Sequence, residues 1–324
     1  MKAIVHRAYG SPDVLRLEDV PKPVPAADEL LVRVRAASVN PLDWHFVRGT
    51  PYVARIAMGL RAPRQTLLGV DFAGTIESAG ASVTRFARGD EVFGATAKGT
   101  LAEYVCVRED RAVARKPARV GFEEAASLPV AAITALQAIR DEGSVRPGQQ
   151  VLVNGASGGV GVFAVQIAKS SGAHVTGVCS ARNVELVRSL GADRVVDYAR
   201  EDFTKSADRW DVLVDNVGNH PLLEVRRVLR RSGRYVMVGG PPGAWLDPLP
   251  RAVGAFALSP FVSQRMRTMF ARLGQKDLTL VRDLVDTGKV KPVVDRRYAL
   301  ADAAEAVRYL AAGHARGKVV VVVE

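Results

Sequence analysis

Between Gly155 and Gly161 the chain reads GASGGVG, directly after an apolar run, VLVN, and directly before a helix-like stretch, VFAVQIAK. Small residues in such a turn let backbone N–H groups approach a phosphate closely, at the positive end of the following helix. Aligned on G-x-G-x-x-G, the three defining positions fall on Ala156, Gly158 and Gly161. With Gly155, Ser157, Gly159 and Val160 they form a candidate dinucleotide-binding turn. The end of the next apolar run, AHVTGVCS, then bears on which dinucleotide. An acid there bonds the ribose 2′-hydroxyl of NAD and repels a 2′-phosphate. Here Ser180 stands in that place and Arg182 follows it, with Tyr198 at the end of the third run as a further contact. A hydroxyl and a cation favour NADPH over NADH, although Arg182 also fits the start of a solvated helix.

The glycines alone also match G-x-x-x-G-x-G on Gly155, Gly159 and Gly161, the pattern of short-chain dehydrogenases. That pattern lies early in such chains, and no Tyr here is followed four residues later by Lys. The elements around the turn therefore have to identify its use.

The 324 residues are enough for two domains, and 48% apolar with 24% charged residues is ordinary for a soluble globular enzyme. No apolar run is long enough to cross a bilayer, and the start, MKAIVHRAYG, lacks the apolar core of a signal peptide, so a cytoplasmic location is expected. The net charge of +11 comes mostly from scattered arginines. It favours anionic ligands without a basic block, zinc finger or other nucleic-acid motif. Cys106 and Cys179 each lie in an apolar run and read as buried strand thiols.

Up to Ala118 the chain is β-rich, with LLVRVRAAS alternating apolar residues with Arg33 and Arg35. After a helix-like FEEAASLPVAAITALQAIRDEG, wholly apolar strands (VLVNG, AHVTGVCS, RVVDY, DVLVDNVG, RYVMVGG) are separated mostly by helical segments, the pattern of a parallel sheet covered on both faces. Helices are expected at 278–288 and 302–313. The last strand, GKVVVVV, has no obvious neighbour in that sheet and is expected back in the first domain. The stretch 245–273 fits neither rhythm: it reads as a pocket wall or dimer contact, with a basic interfacial helix as a weaker reading.

Taken together, ASVNPLDW, GVDFAGTIESAG, VTRFARGDEVFG, ASLPVAAITALQAI, NGASGGVG, SLGADRVVDY, DNVG, GRYVMVGG and HARGKVV resemble the medium-chain dehydrogenase/reductase superfamily over nearly the whole chain. Within it the chain looks like the zinc-free quinone oxidoreductase group, which includes zeta-crystallin-like proteins. The resemblance implies an α/β fold: a Rossmann doubly wound parallel sheet (119–274) plus a GroES-like β-rich catalytic domain (1–118 and 275–324) completed by the C-terminal segment. It also implies a homodimer, with RYVMVGG as the pairing strand. Zinc alcohol dehydrogenases of the superfamily carry a Cys in the segment matching AASVNPLDW and a His-Glu pair where this chain has Val70 and Asp71. Neither Val70 nor two distant cysteines supplies such ligands, so no metal is expected. His45 near Asp43 lacks a third ligand.

Without a Lewis acid for an alkoxide, the expected reaction is hydride transfer from NADPH to a quinone or an α,β-unsaturated carbonyl. By resemblance the acceptor pocket is lined by Asn40, Asp43 and Tyr52: Asn40 would orient nicotinamide or a carbonyl, and Tyr52 would donate a proton. His45 falls where quinone reductases often have Tyr, which leaves the proton donor open. Asn40 before Pro41 also fits a plain turn residue, Tyr52 wall packing, and His45 a solvated loop. Thr134 lies in a segment resembling a cofactor contact, and the resemblance extends cofactor contacts to Asn216, Val217, Gly239 and Lys318. The alternatives are a non-catalytic NADPH-binding protein and, more distantly, an alcohol dehydrogenase.

Overall fold

The computed structural model describes residues 1–240, 253–254 and 262–323. Two compact units divide the chain: Met1–Ile133 with Leu273–Gly288 and Pro292–Glu324, and Thr134–Arg272 with Lys289–Lys291.

The first unit begins with strands β1 (Lys2–Val5), β2 (Arg16–Asp19), β3 (Glu29–Val39), β4 (Asp71–Ala79), β5 (Glu91–Ala95), β6 (Tyr104–Arg108) and β7 (Val113–Arg115). In β3 the expected alternation holds: Val32 and Val34 are buried while Arg33 and Arg35 face solvent. Helix α1 (Pro41–Arg48) follows β3, and the short α2 is Arg55–Met58. The helix-like run after 121 is two helices, α3 (Phe122–Ala126) and α4 (Pro129–Gln137). Pro129 explains the break, because it disfavours helical geometry at Leu128 and is itself suited to a first helical position. Because α3 packs on β3 and β4, the unit extends past residue 118 to Ile133, inside α4.

The second unit holds β8 (Gln150–Asn154), α5 (Gly161–Ser170), β9 (His174–Cys179), α6 (Val184–Ser189), β10 (Arg194–Asp197), β11 (Trp210–Asp215), α7 (Leu222–Arg227), β12 (Leu229–Met237) and β13 (Arg265–Thr268). Among the described residues the sheet has six parallel strands in the order β10-β9-β8-β11-β12-β13. The order reverses between β8 and β11, which defines a crevice at the carboxyl ends of the strands. Helix α5 is buried from Gly161 to Ala168, and each large side chain so covered contributes about 1.5–3 kcal/mol. Cys106 on β6 and Cys179 on β9 are buried, and burial pushes both thiols up to about 11.

Two expectations for this sheet need correction. RYVMVGG is not an edge: Arg234–Met237 of β12 is hydrogen-bonded on one side to β11 and on the other to β13, so this stretch presents no open ladder to a second copy. The basic run near Arg265 is a strand rather than an interfacial helix, because Arg265–Thr268 takes register beside Arg234–Met237. The rest of 245–261, apart from residues 253–254, lies outside the described residues.

The chain returns to the first unit through α8 (Gln275–Asp286), β14 (Val294–Ala299), α9 (Ala303–Ala311) and β15 (Lys318–Val322). Helix α8 buries Leu278, Val281 and Val285 on one face and starts three residues before the expected Leu278. Strand β15 pairs antiparallel with β3 and parallel with β14, so the last strand does lie in the β-rich unit. That sheet, among the described residues, runs β14-β15-β3-β4-β5-β7, with β6 on the amino half of β3.

Candidate active site

In the second unit, the candidate cofactor residues gather at the carboxyl ends of the strands. Gly155 and Ala156 follow β8 and both donate backbone N–H bonds to Val178 O, at 3.1 and 2.9 Å, tying the turn to β9. Gly161 has no room for a side chain: a Cβ there would lie 2.1 Å from Gly155 O. Gly158 differs, since a Cβ would meet only Gly155 O at 3.4 Å and would project into the space a pyrophosphate needs. The turn, with Val160 leading into α5, therefore fits a dinucleotide.

Ser180 directly follows β9, Arg182 sits in the next short turn, and Tyr198, directly after β10, is largely exposed while its N–H donates to Cys179 O. Asn216 and Val217 follow β11, and Gly239 follows β12. Beneath them lies a residue that sequence reasoning missed. Buried Asp215 accepts from Asn154 Nδ2 (2.9 Å), the Val217 and Gly218 N–H groups (3.1 and 2.8 Å) and the Tyr235 hydroxyl (2.8 Å). It fixes the bend that presents Asn216, whose own Nδ2 donates to Asn154 O and whose buried Oδ1 has no partner among the described residues. A charged residue closing an apolar strand, DVLVD, was the available signal, since a buried carboxylate needs this many donors. Thr134 is buried within α4. A surface hollow of about 600 Å³ lined by His174, Arg194, Trp210 and Arg230 lies at the opposite, amino ends of the strands, the end open α/β sheets do not use for cofactors.

In the first unit, Asn40, Asp43 and Lys318 come together with Asp71 and Ser38. All are buried. The Asn40 backbone N–H donates to Asp43 Oδ2 at 2.7 Å, which caps α1. The Asn40 side chain is not used for that cap: Nδ2 donates to Asp71 Oδ2 at 2.9 Å, and Oδ1 accepts from Lys318 Nζ at 2.6 Å. Lys318, expected among the cofactor contacts, has its ammonium in this cluster, 3.4 Å from Asp71 Oδ2. Asp71 also accepts from Ser38 Oγ at 2.8 Å and, through Oδ1, from the Val130 N–H at the start of α4 at 3.0 Å. Burial holds the Lys318 ammonium below its usual range against the pull of Asp71 and Asp43. Burial likewise pushes the Asp43 carboxyl up to about 7, reinforced by Asp71 and opposed by the Asn40 N–H. Among the described residues Asp43 Oδ1 has no hydrogen-bond partner.

His45, on α1, has Nδ1 3.4 Å from Thr50 Oγ1. Burial holds its imidazole below the usual value, and nearby Arg48 acts in the same direction. Tyr52 is partly exposed, and its ring carries the Arg55 guanidinium 4.8 Å from the centroid; the same guanidinium lies 4.3 Å from the Tyr9 ring. No pattern in the sequence marked Arg55. Among the described residues no three His, Cys, Asp or Glu groups converge to hold a metal. Val70 offers no donor atom, and both Asp71 oxygens already accept hydrogen bonds, so this position does not fit a catalytic zinc.

Residues 26–118 match the family model described as alcohol dehydrogenase GroES-like domain, and residues 190–321 that described as zinc-binding dehydrogenase. The chain is 34% identical over 336 residues to a chloroplastic quinone-oxidoreductase homolog of Spinacia oleracea, covering 99% of this chain and 98% of that protein. It is 33% identical to a chloroplastic NADPH-dependent alkenal/one oxidoreductase of Arabidopsis thaliana, covering 99% and 79%. Among solved structures it superposes on the quinone oxidoreductase from Coxiella burnetii with a TM-score of 0.88 at 32% identity, over 100% and 99% of the two chains.

Proposed function

The chain belongs to the quinone oxidoreductase group of the medium-chain dehydrogenase/reductase superfamily, and on that premise we propose that it is a zinc-independent, NADPH-dependent reductase of quinones or α,β-unsaturated carbonyls. The observation that carries the cofactor choice is Ser180 with Arg182 at the end of β9, where an acid would select NAD. The names of the spinach and Arabidopsis relatives support the acceptor class.

NADPH, when bound, supplies the hydride. The backbone of the turn from Gly155 to Gly161 would hold its pyrophosphate, the Ser157 hydroxyl with Ser180, Arg182 and Tyr198 would hold its 2′-phosphate, and Asn216, Val217, Gly239 and Thr134 would be further contacts. Asn40 is the positioned amide of the first unit: Lys318 and Asp71 hold its two ends, so its plane cannot turn. Its remaining N–H is the donor we assign to the oxygen on which negative charge develops. Tyr52 is assigned the proton that follows, because the neutral imidazole of His45 is the poorer acid at neutral pH. Lys318 and Asp43 act through Asn40 rather than on the acceptor.

Following NADPH oxidation with a para-quinone, an enone and a saturated aldehyde tests this reading. Turnover on the first two and not the third is expected. Activity confined to the aldehyde, or requiring added zinc, would overturn it. NADPH binding with no turnover on any acceptor would instead mark a non-catalytic NADPH-binding protein.

A further inference from the structure

Asn183 closes the short turn after β9 and is 4% exposed. Its Nδ2 donates to two hydroxyls from separate parts of the cofactor site: Ser157 Oγ in the glycine turn at 2.9 Å and Ser180 Oγ at the end of β9 at 3.2 Å. Its backbone N–H donates to Ser180 O at 2.9 Å. Among the described residues its buried Oδ1 has no partner, and the side-chain hydrogen bonds of the amide are those to the two serines.

An oxygen that accepts from Nδ2 keeps its own hydrogen to donate elsewhere, and accepting polarises that O–H further. We infer that Asn183 is a positioning residue for cofactor choice: it turns Ser157 and Ser180 into a pair of outward donors, which suits a ligand group that only accepts. A 2′-phosphate is such a group; a ribose 2′-hydroxyl, which must also donate, gains less. The inference rests on the proposed NADPH preference and explains how two neutral serines enforce it beside Arg182.

The test is calorimetric titration of 2′,5′-ADP and 5′-ADP into the wild type, Asn183→Leu and Asn183→Asp. The wild type should prefer 2′,5′-ADP. Losing the aimed donor should cut that preference about tenfold in Asn183→Leu. Asn183→Asp should cut it further, because a carboxylate accepts from both hydroxyls and turns their hydrogens inward. In both variants 5′-ADP affinity should hold, which also reports that the turn is folded. Ser157→Ala combined with Asn183→Leu should cost no more than either alone. Variants that keep the wild-type preference, or lose both nucleotides by the same factor, would overturn the role of Asn183 and leave the NADPH reading standing. A wild type that binds the two nucleotides equally would overturn the NADPH reading itself, and this inference with it.

Discussion

The Lys318 ammonium lies 2.6 Å from Asn40 Oδ1 while the other end of the same amide donates to Asp71 Oδ2 at 2.9 Å. One buried amide thus bridges a buried cation and a buried anion, and each end fixes the other. Removing the cation leaves Asp71 uncompensated, so Lys318→Met should cost about 3–5 kcal/mol in chemical denaturation. Adding Asp71→Asn, which removes the stranded charge, should return part of that loss. A double variant no more stable than the single one would contradict the ion-pair account.

Asn40→Ala should lower turnover on a good quinone on the order of 10²-fold, because a displaced donor is felt at the reacting atoms, and should leave NADPH affinity unchanged. Steady-state kinetics beside fluorescence titration separate the two. Unchanged turnover would remove Asn40 from the site.

Asp43 predicts a pH dependence. Its carboxyl is pushed up to about 7 in the folded chain from an ordinary 3.8, so between those values the folded state holds a proton that the unfolded state has released. Stability from this group is therefore full below about pH 4 and falls as pH rises to about 7, by up to about 4 kcal/mol. Comparing denaturation midpoints at pH 5 and pH 8, Asp43→Asn should lose less stability than the wild type. Parallel curves would show that Asp43 is ionised throughout.

Two neighbouring glycines should fail differently. Gly161→Ala forces a Cβ to within 2.1 Å of Gly155 O and should destabilise the second unit by several kcal/mol, in the range of overpacked cores or above. Gly158→Ala meets only an ordinary contact; its melting temperature should be unchanged while NADPH and NADH binding both fall. Equal stability losses would mean the open side of Gly158 has no bearing on the cofactor.

Cofactor selection should invert with charge. Arg182→Ala should weaken NADPH about 10- to 100-fold, the worth of a hydrogen-bonded charge, and spare NADH. Ser180→Asp should weaken NADPH at least as much. If KM for NADPH holds in both variants, Arg182 is only the start of a solvated helix.

Periodicity and punctuation made the architecture readable: the Arg33–Arg35 alternation marked β3, and GASGGVG between an apolar run and a helix marked the nucleotide turn. The sixth strand of the second sheet escaped notice because RMRT is only four residues long and its single buried side chain, Met266, is too little alternation to mark a strand; it is a strand because Tyr235 and its neighbours offer it a free ladder. The polar cluster was half visible. Asn40 and Asp43 could be singled out from one segment, but their partners Asp71 and Lys318 come from strands far away in sequence, and no local spacing records an encounter made by tertiary pairing. Asn183 was hidden for a similar reason, since a residue between an Arg and a helix reads as solvated until Ser157 is seen beneath it.

Asn40 and Lys318 stand 278 positions apart, and the strand carrying Lys318 lies inside its sheet, between β14 and β3. At ribosomal rates of roughly 5–20 residues per second, on the order of 14–56 s separate the making of the two residues. Throughout that interval the carboxyl half of β3 is an open, apolar edge, and Asp71 has water for a counter-ion. The nascent chain can assemble its nucleotide-binding half early, but the other half has to be kept from pairing with strangers until its closing strand arrives.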